Sequence, residues 1–225
     1  GLFRLKPDLS SLDYLSHFSN NTWGLGFSEN GDVFASTANN EHSAYLAIPD
    51  RYFAGVNGFD KSGYTPIAPY KRFHPITDKV RQADVFGGYT AATGHTVYTA
   101  RDFPESYWNR AAFINEPTGH LVHRAYLQQE GTQFVVVDGW NQVASADEWA
   151  APVMSEVGPD GALWVLDWYN LIIQHNPVPE GFKAGEGDAY ETPLRDLEHG
   201  RIYRIIHKDA KPYTPMALSK NDPEG

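Results

Sequence analysis

The sequence predicts an all-β fold, a β-propeller of four-stranded antiparallel blades with long irregular insertions, and three observations carry that expectation. Residues 23–37 (WGLGFSENGDVFAST) and 153–167 (VMSEVGPDGALWVLD) are built alike: an apolar run, then Asn-Gly or Asp-Gly, then a run ending in a small or acidic residue. Those dipeptides accept the positive φ angles of a tight hairpin, so each stretch reads as strand–turn–strand. The tripeptides Phe3-Arg4-Leu5, His123-Arg124-Ala125 and Tyr203-Arg204-Ile205 form a second echo, each following a glycine within a few residues. Finally, 13 Tyr, 12 Phe and 6 Trp stand beside 20 Gly and 15 Pro, which suits short strands joined by turns better than long helices. Recurrence of small β units marks a radial array of sheets.

The elements follow blade by blade, with strands lettered A to D from the axis outward. The first blade is represented by C (1–5) and D (11–16). The second has A at 23–27, B at 32–37 and C near 44–48, followed by an irregular passage to about residue 86. The third has A within 88–99, B at 110–115, C at 120–127 and D at 132–138. The fourth has A at 152–157, B at 162–167, an insertion over 168–199, C at 201–206 and a D strand that the pattern does not place. Residues 1–211 thus read as about three and a half blades, fewer than the ~4–8 of a closed ring. The expectation is a part of a six-bladed ring whose upstream blades are missing, with 212–225 as a linker leaving it. The passages 49–86 and 168–199 are long enough to be lid-like or functional, or else a packed covering over a sheet edge.

Bulk properties narrow the function. A net charge of −10 over 225 residues disfavours a nucleic acid or an anionic membrane as partner and suits a cation or a neutral polar ligand. With no Cys, disulfides, thiolate zinc sites, Cys nucleophiles and covalently attached haem are excluded within this segment. No apolar run reaches membrane-spanning length. No phosphate-cradling loop, dinucleotide fingerprint or serine elbow is present.

If the Asn-Gly and Asp-Gly hairpins join A to B on one face of the disc, the B-to-C and D-to-A connections share the other. Three B-to-C connections open alike, with Asn39-Asn40-Glu41-His42, Asn115-Glu116 and Asp167-Trp168-Tyr169-Asn170. The D-to-A connections add Asn20 and Asn21, then Asp138, Trp140, Asn141 and Asp147. Converging side-chain oxygens suit calcium, which takes ~6–8 oxygen ligands, and equally suit sugar hydroxyls stacked on Trp or Tyr. Glu41, Glu116 and Asp167 are the candidate metal ligands. At each position the competing role is an acidic or amide side chain closing its own turn. His42, His175 and His199 fall in B-to-C connections and His95 near an inner strand, where an imidazole could act as general base. His74, His120, His123 and His207 read as structural, and Arg4, Arg124 and Arg204 as hydrogen-bond donors between blades.

The chain resembles the β-propeller of the glucose/sorbosone dehydrogenase-like superfamily. It is most similar to the large membrane-bound dehydrogenase proteins of planctomycetes, verrucomicrobia and Bacteroidetes, which join a propeller to HEAT-like repeats and often a cytochrome c domain. The resemblance rests on residues 21–36, 103–124, 152–170 and 192–205, above all GPDGALWVLDWYN and GRIYRI. It implies an extracytoplasmic sugar- or polyol-oxidising module using pyrroloquinoline quinone (PQQ) and calcium, with an electron-accepting cytochrome domain elsewhere in the full-length chain. On that reading His95 or His175 is the general base and Arg101 or Arg195 pairs with the cofactor's carboxylates. Trp168, Tyr169 and Asn170 contact the cofactor, and Glu41, Glu116 and Asp167 hold calcium. The family's catalytic His and its Lys/Arg cluster have no match at equivalent places in this sequence. A non-catalytic carbohydrate-binding or scaffolding propeller and a calcium-dependent hydrolase or lactonase are the alternatives.

Overall fold

The computed structural model of the chain describes residues 1–39, 41–58, 63–83, 85–174, 181, 192 and 194–214. Among these the regular structure is thirteen β-strands and two single 3-10 turns, with no α-helix. β1 (Leu2–Leu5) and β2 (Leu12–Ser16) form a two-stranded antiparallel sheet. β3 (Thr22–Phe27), β4 (Val33–Thr37), β5 (Ala44–Leu46) and β6 (Tyr64–Pro66) form a four-stranded meander. A second meander comprises β7 (Thr93–Val97), β8 (Ala111–Glu116), β9 (Leu121–Glu130) and β10 (Gln133–Ala144). β11 (Pro152–Val157), β12 (Leu163–Asp167) and β13 (Arg201–Ile205) make the last sheet, three-stranded among the described residues. Most of the expected linker, from residue 215 onward, lies outside the described residues.

These sheets are propeller blades in sequence order. The first strands of successive sheets lie against one another, β3 on β7 and β7 on β11. In β3 the large residues Trp23, Leu25 and Phe27 alternate with Gly24 and Gly26, and only the glycine face meets β7. A Cβ on Gly26 would lie 1.6 Å from the His95 carbonyl oxygen, and one on Gly24 2.6 Å from that of Gly94. The inner strands can approach this closely only where glycine removes the side chain.

The hydrophobic cores lie between sheets. Leu2, Phe18, Ala35 and Leu46 fill the first junction. Phe34, Ile67, Tyr89, Ile114 and Leu121 belong to the second, and Tyr98, Phe103, Phe113, Leu163 and Val165 to the third.

Most strand bounds agree with the sequence reading to within a residue or two. The second blade differs in having a fourth strand, β6, inside the passage read as irregular. It is three residues long and begins one residue after Gly63, whose Cβ position is blocked by the Ile48 carbonyl at 1.5 Å. Around it, 49–86 is a packed covering: Ile67 and Phe73 are buried, and the Ile67 carbonyl accepts the Val136 N–H at 3.0 Å. β10 runs six residues past its expected end, so Asp138, Trp140 and Asn141 lie within a bulged outer strand rather than in a D-to-A connection. The three echoed arginines bond within their own sheets, not between them. Arg4 pairs with Asp13 at 2.7 Å, Arg204 with Asp160 at 2.6 Å, and Arg124 donates to the Gly139 carbonyl at 2.7 Å.

Candidate functional site

The A-to-B connections share one face. Arg101 and Glu29 form a two-pronged ion pair at 2.6 and 2.9 Å across two of them, and Tyr98 donates to the Gly161 carbonyl at 2.8 Å across the next. The opposite face, nearest the hub, holds a cavity of about 520 Å3 lined from three blades. Asn20, Asn21 and Trp23 come from the start of β3, and Asn39 from the end of β4. Thr90, Ala91 and Thr93 come from the approach to β7, while Val153 of β11 and Trp168 after β12 close the far side. Trp23 is 52% and Trp168 40% exposed. No charged side chain lines the cavity among the described residues. Asn39 sits at φ 59, a left-handed conformation that Asn adopts more readily than most residues. Its N–H donates to the Thr90 carbonyl at 3.1 Å, and Ala38 pairs with Ala91, joining the second and third blades across the cavity floor.

The three candidate carboxylates point into their own blades. Glu116, fully buried at the end of β8, accepts the N–H groups of Thr90 (2.9 Å), Ala91 (3.3 Å) and Thr118 (3.1 Å), together with the Thr118 hydroxyl. Burial pushes its carboxyl up to about 7, against the opposing pull of these donors. Asp167, at the end of β12, accepts the N–H groups of Ala151 (2.6 Å) and Tyr169 (2.8 Å) and the Tyr203 hydroxyl (3.1 Å). Glu41 is half-buried and accepts the hydroxyls of Ser19 (2.7 Å), Thr37 (3.3 Å) and Tyr64. No three His, Asp or Glu side chains gather into a group able to hold a metal ion among the described residues, and Glu41, Glu116 and Asp167 are not brought together. Glu116 and Asp167 each close a turn through the N–H two residues on, the competing role for such residues, whereas Glu41 ties together three hydroxyls.

The other candidates divide similarly. His95 is fully buried in β7, stacked on Phe34 and bonded through Nε2 to the Ser43 hydroxyl at 3.0 Å. Desolvation lowers its pKa to about 4, and it does not line the cavity. Arg101 lies on the A-to-B face, away from the cavity, committed to Glu29. Arg195 lies in the insertion between β12 and β13, where its N–H donates to the Thr192 carbonyl at 3.2 Å. Asn170 is buried, its amide donating to the Asp196 carbonyl at 3.0 Å, and the Tyr169 ring lies under the Arg201 guanidinium at 3.4 Å. His175 lies outside the described residues. Of the candidates within them, Asn20, Asn21, Asn39 and Trp168 line the cavity. Sequence reasoning overlooked Trp23, Thr90 and Thr93. The legible signal for Trp23 was the alternation Trp-Gly-Leu-Gly-Phe, which sets the large side chains of β3 on the face opposite its glycines.

A family profile described as "Domain of unknown function (DUF7133)" matches residues 1–209. The chain belongs to this family. No curated protein matches the chain. Among solved structures, it is similar to an oxidoreductase described as a glucose dehydrogenase from Thermus thermophilus, at 16% identity and a TM-score of 0.40, over 82% of this chain and 45% of that one. It is also similar to the PQQ-bound form of an aldose sugar dehydrogenase from Streptomyces coelicolor, at 14% identity and a TM-score of 0.34, over 84% of this chain and 49% of that one. A further glucose dehydrogenase matches at 18% identity and a TM-score of 0.34, over 65% of this chain and 40% of that one. The chain spans less than half the length of these three proteins. At such values their ligands are not carried onto this chain. No helix among the described residues is long and apolar enough to cross a membrane.

Proposed function

We propose that the hub face binds a neutral polyhydroxylated ligand, a sugar or polyol, as the carbohydrate-recognition face of a sugar dehydrogenase-like propeller. The observation that carries this reading is the pairing of two indoles, Trp23 and Trp168, with the amides of Asn20, Asn21 and Asn39 around a cavity free of charged side chains among the described residues. Indole faces cover the apolar C–H surface of a sugar ring, and amides both donate to and accept from its hydroxyls. The volume lies within the ~300–1,000 Å3 usual for small-molecule sites.

The quinone and calcium that the resemblance implies do not fit the described residues of this cavity. PQQ carries several carboxylates that call for Arg or Lys partners, and the lining supplies none. Calcium needs converging oxygens, and the carboxylates nearby are bound within their own blades. No redox step is therefore assigned to these residues, and among the described residues no converging acidic group offers a metal cradle for a calcium-dependent hydrolase.

Titration with D-glucose and a set of mono- and disaccharides, read by tryptophan emission and calorimetry, tests the proposal. Binding should be saturable, and Trp168→Ala or Trp23→Ala should weaken it about tenfold or more. Failure of every sugar to perturb the emission, or wild-type affinity in both variants, overturns the reading. Adding PQQ and calcium with a redox dye in the same samples separates binding from oxidation.

A further inference from the structure

We propose that Glu116 and Asp167 are positioning residues of the hub-face cavity, each tying the approach to the first strand of its blade into the shape that lines it. The inference rests on reading that cavity as the ligand site. Both carboxylates end the second strand of a blade, at the last residues of β8 and β12. Both are buried, and each uses one oxygen to accept two backbone N–H groups.

In the third blade the two donors are Thr90 and Ala91, which themselves line the cavity. The Thr90 carbonyl then receives the N–H of Asn39, and Ala91 bridges to Ala38, so Glu116 sets two blades' contributions at once. The Thr90 hydroxyl is fixed separately, by Thr118 at 3.2 Å and by the Gln82 amide at 2.8 Å. In the fourth blade the donors are Ala151 and Tyr169, which flank the cavity-lining Val153 and Trp168. The Trp168 N–H donates back to the Ala151 carbonyl at 2.9 Å, closing a ring that fixes the indole's backbone. A carboxylate oxygen with two lone pairs can satisfy two adjacent N–H donors at once, which a hydroxyl of similar reach does less well.

The test has a ligand-free arm. Amide hydrogen exchange of Glu116→Ala should rise about tenfold or more at Thr90 and Ala91 while the β8–β9 ladder keeps its protection, and Asp167→Ala should do the same at Ala151 and Tyr169. Asp167→Asn keeps an accepting oxygen at the same reach, with its NH2 facing the Tyr203 hydroxyl, and should restore protection at Ala151 and Tyr169. Glu116→Gln sets an NH2 against the Thr118 N–H, so its rescue is read at Thr90 and Ala91 and should be partial. Trp168 emission should shift in Asp167→Ala and return in Asp167→Asn. In the second arm D-glucose is titrated into the same proteins, with weaker binding expected in the alanine variants and rescue in the amides. Unchanged exchange at the four amides, a rise spread evenly over each sheet, or an Asp167→Asn variant that behaves like alanine would each overturn the proposal. If Glu116→Ala does not fold, the Asp167 variants decide the question by the same criteria. Absence of glucose binding in the wild type would count against the sugar reading, while the exchange arm still decides the positioning role.

Discussion

His42, His95 and His123 are fully buried between the second and third sheets, the first and last beside Tyr70 and Tyr89 and His95 against Phe34. Desolvation lowers His95 from 6.5 to about 4 and His123 to about 3, and burial lowers His42 as well. A histidine whose folded pKa is depressed contributes stability that is complete above its unfolded value and lost as pH falls toward the folded one. The histidine contribution should therefore drop between pH 6.5 and about 4, continuing to about 3, by on the order of 3 kcal/mol for His95 alone. Glu116 acts in the opposite sense. Its folded pKa is raised from 4.5 to about 7, so its contribution is complete below 4.5 and lost as pH rises through about 7. Urea midpoints measured from pH 3 to 8 check both signs. Between pH 4.5 and 6.5 the two effects oppose each other at similar size, so Glu116→Gln should remove the decline toward neutral pH and deepen the acid limb. A Glu116→Gln midpoint that holds constant from pH 6.5 to 4 would refute the histidine assignment.

At the scale of strands, the tightest constraint is the contact between β3 and β7. Gly26→Ala sets a methyl group into the His95 carbonyl and should cost about 3 kcal/mol or more. Gly31→Ala, at φ +82 with open space around it, should cost only about 1 kcal/mol through its backbone conformation. Thermal melts of the two variants rank them, and equal losses would mean that β3 can move away from β7. The Asn-Gly and Asp-Gly hairpins made β3, β4, β11 and β12 legible in the sequence, because turn chemistry and alternation agree there. β6 was not legible: three residues carry no period, and the strand exists because β5 offers it a ladder. The extension of β10 was hidden for another reason, since Trp140 sits at φ 63 in a bulge that interrupts alternation. Within the site, the face and several amides could be read from connection order. The direction of Glu116 and Asp167 could not, because a carboxylate after a strand fits a metal cradle and a backbone tie equally well in one dimension.

For the whole molecule, stability is distributed among junctions. Leu163, fully buried in β12, packs in a cluster with Tyr98, Phe103 and Phe113 of the preceding blade. Leu163→Ala should lower stability by about 2–5 kcal/mol. Amide exchange should rise in β8 and β9 as well as in β11 to β13, whereas a loss confined to the last sheet would show that the blades unfold independently. Because among the described residues each cluster of buried side chains is held jointly by two neighbours, none of these sheets owns an interior. Scissors placed between sheets would cut through oil on both sides, and a fragment meant to stay folded in water must keep at least one adjoining pair whole.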